Sequence, residues 1–361
     1  MDLINKFLNI TVPFVALVTL PFFLPPYFLF KFLLSTIRNI FSEDVAGKVV
    51  LITGASSGIG EHLAYEYARK GACLALIARR ELRLREVASQ AELIGSPTAI
   101  VIPGDVTKVE DCKHFVEATV KHFGRLDHLV TNAGVAPVCM FEDYPDITRA
   151  APAMDINFWG SAYSAYFAIP LLKQSKGKII AIASAAGWLP VPRMTFYSAS
   201  KAAVIALYET LRVEYGDDIG ITIVTPGVIE SEMTEEKFLN KAGKLEADKE
   251  IRDVQVSLMP VRSTKKCARA IVNSACRGDK YLTEPSWVRV TFFWKAFWPE
   301  IIVWFNNMLL VTGPGTSQRD APSKKLLDLV KGIKEFLTPD TVSFHELTAR
   351  LDHQRYRRSP F

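Results

Sequence analysis

Two residues in this chain could do acid–base chemistry together: Tyr197 and Lys201, in the run Tyr197-Ser198-Ala199-Ser200-Lys201. On a helix, side chains four positions apart share a face. An ammonium near a phenol favours the phenolate and lowers a pKa that starts near about 10. The tyrosine then becomes usable as an acid or base near neutral pH. The Y-x-x-x-K spacing alone says little, since Tyr27 and Lys31 match it inside an apolar stretch. Position separates them, because Tyr197 opens an apolar helical run over 202–215. A second stretch could hold a phosphate: Val49-Val50-Leu51-Ile52-Thr53-Gly54-Ala55-Ser56-Ser57-Gly58-Ile59-Gly60. Its glycines let a backbone pass close to a ligand, and the free N–H groups of the helix that follows form an anion site.

These residues need a scaffold that brings them together. Apolar strand-like runs recur at 49–53, 73–78, 98–102, 128–131, 178–183 and 219–225, with helical patterns between them, such as 61–70 and 81–93. A buried parallel strand reads as a continuous apolar run, and regular alternation with helices means βαβ units. The expected fold class is α/β, a Rossmann-type doubly wound parallel sheet over residues 45–285. The 361 residues, 49% of them hydrophobic, suffice for one large core. A net charge of +5 with dispersed basic residues gives no nucleic-acid surface. The five cysteines are far apart and lack C-x-x-C spacing, and the six histidines form no metal motif, so no disulfide frame and no metal are expected.

The turn Gly54-x3-Gly58-x-Gly60 behind a strand ending in Thr53, with Y-x-x-x-K at 197–201, resembles the classical short-chain dehydrogenase/reductase family. In that likeness Ser184, after the fifth strand, is the serine that holds the substrate oxygen. Asn157, in a helix over 154–166, is the asparagine that holds a water linking Lys201 to solvent. Asn132-Ala133-Gly134 resembles the family's N-N-A-G with Thr131 in place of the first Asn. In Gly104-Asp105-Val106, Asp105 would reach the adenine amine; Pro226-Gly227 would meet the nicotinamide amide, with Val228 offering a backbone N–H. Lys201 would also bind the nicotinamide ribose. The second strand ends in Ala78-Arg79-Arg80, where an NAD enzyme usually has a carboxylate for the ribose hydroxyls. Arginines there suit the extra phosphate of NADP, so NADP is expected over NAD. The resemblance further implies hydride transfer between a carbinol carbon and nicotinamide with Tyr197 moving the hydroxyl proton, and dimers formed through the helices carrying Asn157 and Tyr197.

Before the sheet, residues 7–30 contain no charged side chain, and Lys6 and Lys31 bracket them. About 20 apolar residues span a bilayer's hydrocarbon, so residues 1–40 read as a lipid anchor. Pro13, Pro21, Pro25 and Pro26 disfavour a straight continuous helix. A segment that enters and turns back is therefore expected, with an ordinary signal anchor as the alternative. The pattern resembles the proline knob of plant oil-body sterol-binding dehydrogenases, the steroleosins. Lys31, Arg38 and Lys48 on the far side of the segment favour a cytosolic domain.

Residues 229–259 are charged and read as helical, and the family resemblance implies that they form the substrate lid. In 286–312, Trp294, Phe297, Trp298, Ile301, Phe305 and Met308 recur at helical spacing, fitting either a helix that closes the pocket or one that lies at a lipid interface. The polar tail, 313–361, has nine Lys or Arg against six Asp or Glu. Leu326, Leu327, Val330, Ile333 and Leu337 suggest one amphipathic helix there, and the basic end, Arg355-Tyr356-Arg357-Arg358, reads as disordered. Taken together, the resemblance implies an NADP-dependent dehydrogenase of a steroid or sterol hydroxyl on a lipid droplet or endoplasmic reticulum membrane. The alternatives are a ketoreductase of long-chain acyl or sphingoid lipids, and a sterol-binding droplet coat with little turnover.

Overall fold

The structure, a computed structural model, describes residues 2–231, 237–240, 242–243, 245–247, 249–256, 259–313, 317 and 320–329. It opens with helix α1, Asp2–Ile40, which runs without a break through Pro13, Pro21, Pro25 and Pro26. The expectation of a segment that turns back is therefore corrected. Each proline removes one N–H from the helix, whereas a break would open two new helix ends with about four orphan groups each. Where no water can bind those groups, the continuous helix loses less. Within α1, residues Ile4–Arg38 are apolar and long enough to cross a membrane, and none of that window is buried by the protein.

The sheet follows. Strand β1, Val49–Thr53, leads to helix α2, Gly58–Ala68; β2, Cys73–Ala78, to α3, Glu81–Ile94; β3, Ala99–Pro103, to α4, Val109–Phe123. After β4, His128–Thr131, a helical run begins as α5, Ala151–Met154, passes through a π turn, Asp155–Trp159, and ends as α6, Gly160–Ser175. Strand β5, Lys178–Ile182, precedes α7, Thr195–Tyr215, and β6, Gly220–Pro226, closes the second half. These strands fall within one residue of the sequence expectation.

The region after β6 departs from it. The segment read as a helical lid contains an antiparallel pair, β7, Lys237–Leu239, with β8, Leu245–Ala247; only α8, Lys249–Val256, is helical among the described residues. Leu239 is buried and its strand bridges Pro137, so packing overrides the helical propensity of the charged residues. Helix α9, Thr264–Arg277, then returns the chain to a seventh parallel strand, β9, Tyr281–Glu284. The aromatic run forms two helices, α10, Val290–Phe297, and α11, Pro299–Leu310. Trp298 breaks them at φ −143°, as the residue before a proline is driven out of the helical region. Helix α12, Pro322–Leu329, begins the amphipathic run. Val330, Ile333, Leu337 and the basic end from Arg355 to Arg358 lie outside the described residues.

The strand order is β3-β2-β1-β4-β5-β6-β9, all parallel. Helices cover both faces. Val50 and Ile52 of β1 pack with Leu63, Tyr67, Leu84 and Ile271 on one side, and Val49 and Leu51 pack with Phe115, Leu172 and Tyr208 on the other. The two-residue alternation of β1 thus feeds two cores, which is why its sequence is apolar throughout. The order reverses between β1 and β4, and at such a switch point a crevice opens beyond the strands' carboxyl ends.

Candidate active site

That crevice is lined by Gly54, Ser56, Ser57, Gly58 and Ile59 from the turn after β1, Arg79 and Arg80 after β2, and Asp105 and Val106 after β3. Asn132, Ala133 and Gly134 after β4, Ser184 after β5, Tyr197 and Lys201 from α7, and Pro226 and Gly227 after β6 complete it. Residues separated by more than 100 positions therefore share one cleft. Gly60 and Val228 are not on its surface. Gly60 faces the Gly54 carbonyl, where a Cβ would come to 2.3 Å, so it lets α2 approach β1. The Val228 carbonyl accepts from the Arg262 N–H at 3.0 Å, and Ile229 and Ser231 line the cleft in its place.

The glycine turn shows why small residues are needed. Gly54 and Gly58 sit at φ 67° and 58°, and a Cβ on Gly54 would meet Ala133 Cα at 2.8 Å. Asn132 ties the turn to β4, its Nδ2 donating to the Thr53 and Gly54 carbonyls at 3.0 and 3.2 Å. The N-cap of α2, Ser57, makes no capping bond with its side chain, leaving the first N–H groups of the helix open toward the cleft. Above them lies Arg80, whose Nε and Nη2 donate to Ser56 Oγ at 3.2 and 3.1 Å and whose Nη2 donates to Ser57 Oγ at 2.6 Å. A guanidinium, two hydroxyls and a helix N-terminus converge, a donor set that fits phosphate groups. Asp105 uses Oδ1 to hold Thr107, accepting from its N–H at 3.1 Å and its hydroxyl at 2.9 Å.

At the other end of the cleft, Tyr197 and Ser184 lie beside each other and both are buried. Ser184 Oγ also accepts from the Ala186 N–H at 3.1 Å and donates to the Pro226 carbonyl at 3.4 Å, which fixes it at the strand end. Lys201 is 4% exposed, its Nζ 5.8 Å from the Tyr197 ring centroid and donating to the Ile182 carbonyl at 2.9 Å. It has no carboxylate partner among the described residues. Burial pushes Lys201 down to about 8 and pushes Tyr197 up from its ordinary value, the neighbouring Ser184 hydroxyl pulling it partly back. The sequence expectation of a lowered tyrosine is thus reversed in the protein alone, because desolvation outweighs the ammonium held back at Ile182.

Asn157 lies in the π turn, and its side chain is fully engaged. Oδ1 accepts from the Val135 N–H at 2.8 Å, and Nδ2 donates to the Val135 carbonyl and to Ser200 Oγ, each at 2.9 Å. Ser200 Oγ in turn donates to the Tyr197 carbonyl at 2.7 Å. The asparagine therefore clamps the backbone after Gly134 to the helix of Tyr197. Thr131, where the family pattern has asparagine, is buried and accepts from Tyr208 Oη at 3.2 Å, a bond that also anchors α7.

Residues 48–242 match the short chain dehydrogenase family. The chain is 54% identical over 346 residues to 11-beta-hydroxysteroid dehydrogenase A of Sesamum indicum, covering 96% of this chain and 99% of the relative. It is 52% identical over 347 residues to 11-beta-hydroxysteroid dehydrogenase 1A of Arabidopsis thaliana, with the same coverage. Among solved structures it resembles an alcohol dehydrogenase of the archaeon Thermococcus sibiricus complexed with 5-hydroxy-NADP: TM-score 0.55, 25% identity, 65% of this chain and 95% of that one. The chain belongs to the short chain dehydrogenase family, alongside plant proteins named 11-beta-hydroxysteroid dehydrogenases.

Proposed function

We propose that this protein is an NADP-dependent hydroxysteroid dehydrogenase that interconverts a ring hydroxyl and a ketone at a lipid surface. The observation that carries the reading is the buried cluster of Tyr197, Ser184 and Lys201 at one end of a cleft whose other end is built for phosphate. Residues 45–285 would carry the reaction and residues 1–40 the attachment to lipid. The names of the plant relatives support a steroid, and the NADP analogue in the archaeal structure supports the phosphorylated cofactor.

The cofactor fits the residues present. Gly54, Ser56, Ser57, Gly58 and Ile59 would hold its phosphates, Arg79 and Arg80 the extra ribose phosphate, Asp105 and Val106 the adenine, and Asn132, Ala133, Gly134, Pro226, Gly227 and Lys201 the nicotinamide half. When bound it supplies or accepts the hydride. The protein handles the proton. In oxidation, Tyr197 as phenolate takes the hydroxyl proton; in reduction it returns a proton to the carbonyl oxygen, and Ser184 holds that oxygen in both directions. Burial leaves the phenolate hard to form in the protein alone, so the positive charge of Lys201 and of an oxidised nicotinamide must bring the pKa down. Both Asn157 side-chain donors are engaged, so its share in the proton path would pass through its backbone carbonyl in the π turn. Trp159 and Tyr166, exposed at 46% and 72% on the α5–α6 run, support pairing of two copies through that face.

The test is steady-state turnover of the full chain in vesicles with a panel of hydroxysteroids and long-chain alcohols, offering NADP and NAD in turn. The reading expects a steroid to turn over with NADP preferred, and expects Arg80→Asp to reverse the cofactor preference. Turnover of the long-chain alcohols alone would replace the substrate class with that of a lipid ketoreductase.

A further inference from the structure

The α10–α11 pair exposes Phe293, Trp294, Phe297, Trp298, Trp304 and Phe305, with Phe297 and Trp304 at 68% and 62%. At roughly 200 Å² per aromatic side chain, half exposed, these rings put about 600 Å² of apolar surface on two short helices. That is the upper end of what a soluble monomer shows in its largest patch, roughly 300–600 Å². The pair carries one acidic side chain, Glu300, against Lys295, and Arg289 stands at the N-cap of α10. It is also fastened to the loop between Ser184 and Tyr197. Trp188 Nε1 donates to Thr291 Oγ1 at 3.2 Å, Asn306 Nδ2 donates to the Pro190 carbonyl at 2.7 Å, and Arg193 Nη1 donates to the Leu310 carbonyl at 2.8 Å.

We propose that the α10–α11 pair is a second lipid-docking surface, separate from α1, which lies in the headgroup layer and holds the 185–194 loop at that surface. The occupant is a phospholipid layer because the chain carries, besides this pair, an unburied apolar helix, Ile4–Arg38, long enough to cross a membrane, and this inference rests on the lipid attachment proposed above. A tether of so few residues, 41–48, keeps the aromatic face at high effective concentration near the layer. Tryptophan and phenylalanine beside lysine and arginine are the residues that lie at headgroup depth. The two contacts leave the domain at opposite ends of the strands: α1 enters ahead of β1, and α10 begins after β9 ends. A domain held by both lies with its strands along the surface, and an apolar substrate reaches Ser184 and Tyr197 without crossing water.

The six tryptophans make this measurable, because none lies in α1 and four lie in 287–304. Full-length protein is reconstituted in phosphatidylcholine vesicles whose acyl chains are brominated near the headgroup, and flotation confirms attachment. Emission is expected to fall by about half relative to plain vesicles, with tryptophan rings seated at that depth. Replacing Trp294, Trp298 and Trp304 together by Phe keeps the face apolar and is expected to remove most of the quenching. Protein that floats with the vesicles but shows equal emission in both overturns the docking surface while leaving the α1 anchor intact. That result would mean that a second copy or residues 330–361 cover the face. Quenching that survives the triple substitution overturns it too. Protein that does not float overturns both readings. The readout needs neither substrate nor cofactor, so it stands apart from the chemistry.

Discussion

The two edges of the sheet bury charge in opposite ways. At the amino edge, Glu43 sits among Lys48, Lys178 and His128: Lys178 Nζ is 2.5 Å from Glu43 Oε2, His128 Nε2 is 3.4 Å away, and Lys48 also pairs with it. His128 Nδ1 meets Tyr67 Oη at 3.0 Å. Burial opposes ionisation of Glu43, yet the bonds from His128, Lys178 and Lys48 win and hold its carboxyl well below the usual range. At the carboxyl edge, among the described residues, Lys201 is buried with a backbone carbonyl to accept from it and no carboxylate, and Tyr197 is buried beside the Ser184 hydroxyl. A buried charge surrounded by its partners holds structure together. One left with a single neutral partner is unstable by itself and gains only when a ligand arrives, which is how titratable groups at functional sites come to be perturbed.

The difference can be broken by substitution, and Lys201→Met should have the largest effect. Removing its charge should lower turnover by about 10²–10⁴, the span typical of a lost proton-transfer aid. The same change should stabilise the protein at pH 7. A lysine lowered from 10.5 to about 8 carries roughly 3 kcal/mol of folding cost. Loss of its bond to Ile182 returns about 1 kcal/mol, leaving a gain of about 2 kcal/mol. The sign fixes the pH window. Below the folded pKa the buried charge is fully unfavourable, and wild-type stability recovers as pH rises from about 8 toward 10.5. Denaturant unfolding across that window should show the gap between variant and wild type closing.

Glu43→Gln should do the reverse. It leaves Lys178 and Lys48 without their carboxylate and should lower stability by about 2 kcal/mol at pH 7, a buried-pair loss reduced for partial exposure, with turnover unchanged. A carboxyl held below its unfolded pKa contributes fully above that value and less as pH falls toward the folded one, so acid should erase the difference between the two proteins. The smallest effect belongs to Tyr67→Phe, which removes one hydroxyl from His128 and should cost about 1 kcal/mol in chemical unfolding, again without a change in turnover. An activity loss in either amino-edge variant would break the division between the edges.

The sequence showed one edge far better than the other, for a physical reason. Chemistry at the carboxyl edge sits on local patterns: a glycine turn after an apolar run, and a tyrosine and lysine one helical turn apart. The amino-edge cluster draws Glu43 from the connection before β1, Tyr67 from α2, His128 from β4 and Lys178 from β5, and only the sheet brings them together. The one trace was a polar first residue on two buried strands, His128 and Lys178. Strand β9 escaped for another reason, since Tyr281-Leu282-Thr283-Glu284 is short, half polar and paired on one side only. The continuity of α1 is hidden in the sequence because each proline signals a local break, whereas the larger loss from opening two new helix ends belongs to the whole segment.

The most direct measurement of the central claim is Tyr197→Phe in the full-length protein, following nicotinamide absorbance with NADP and a hydroxysteroid while measuring NADP affinity on the same preparation. The account predicts turnover down by at least about 10²-fold with affinity nearly unchanged, since the phenol moves a proton and does not hold the phosphates. Turnover that persists at the wild-type rate would contradict it and remove Tyr197 from the chemistry.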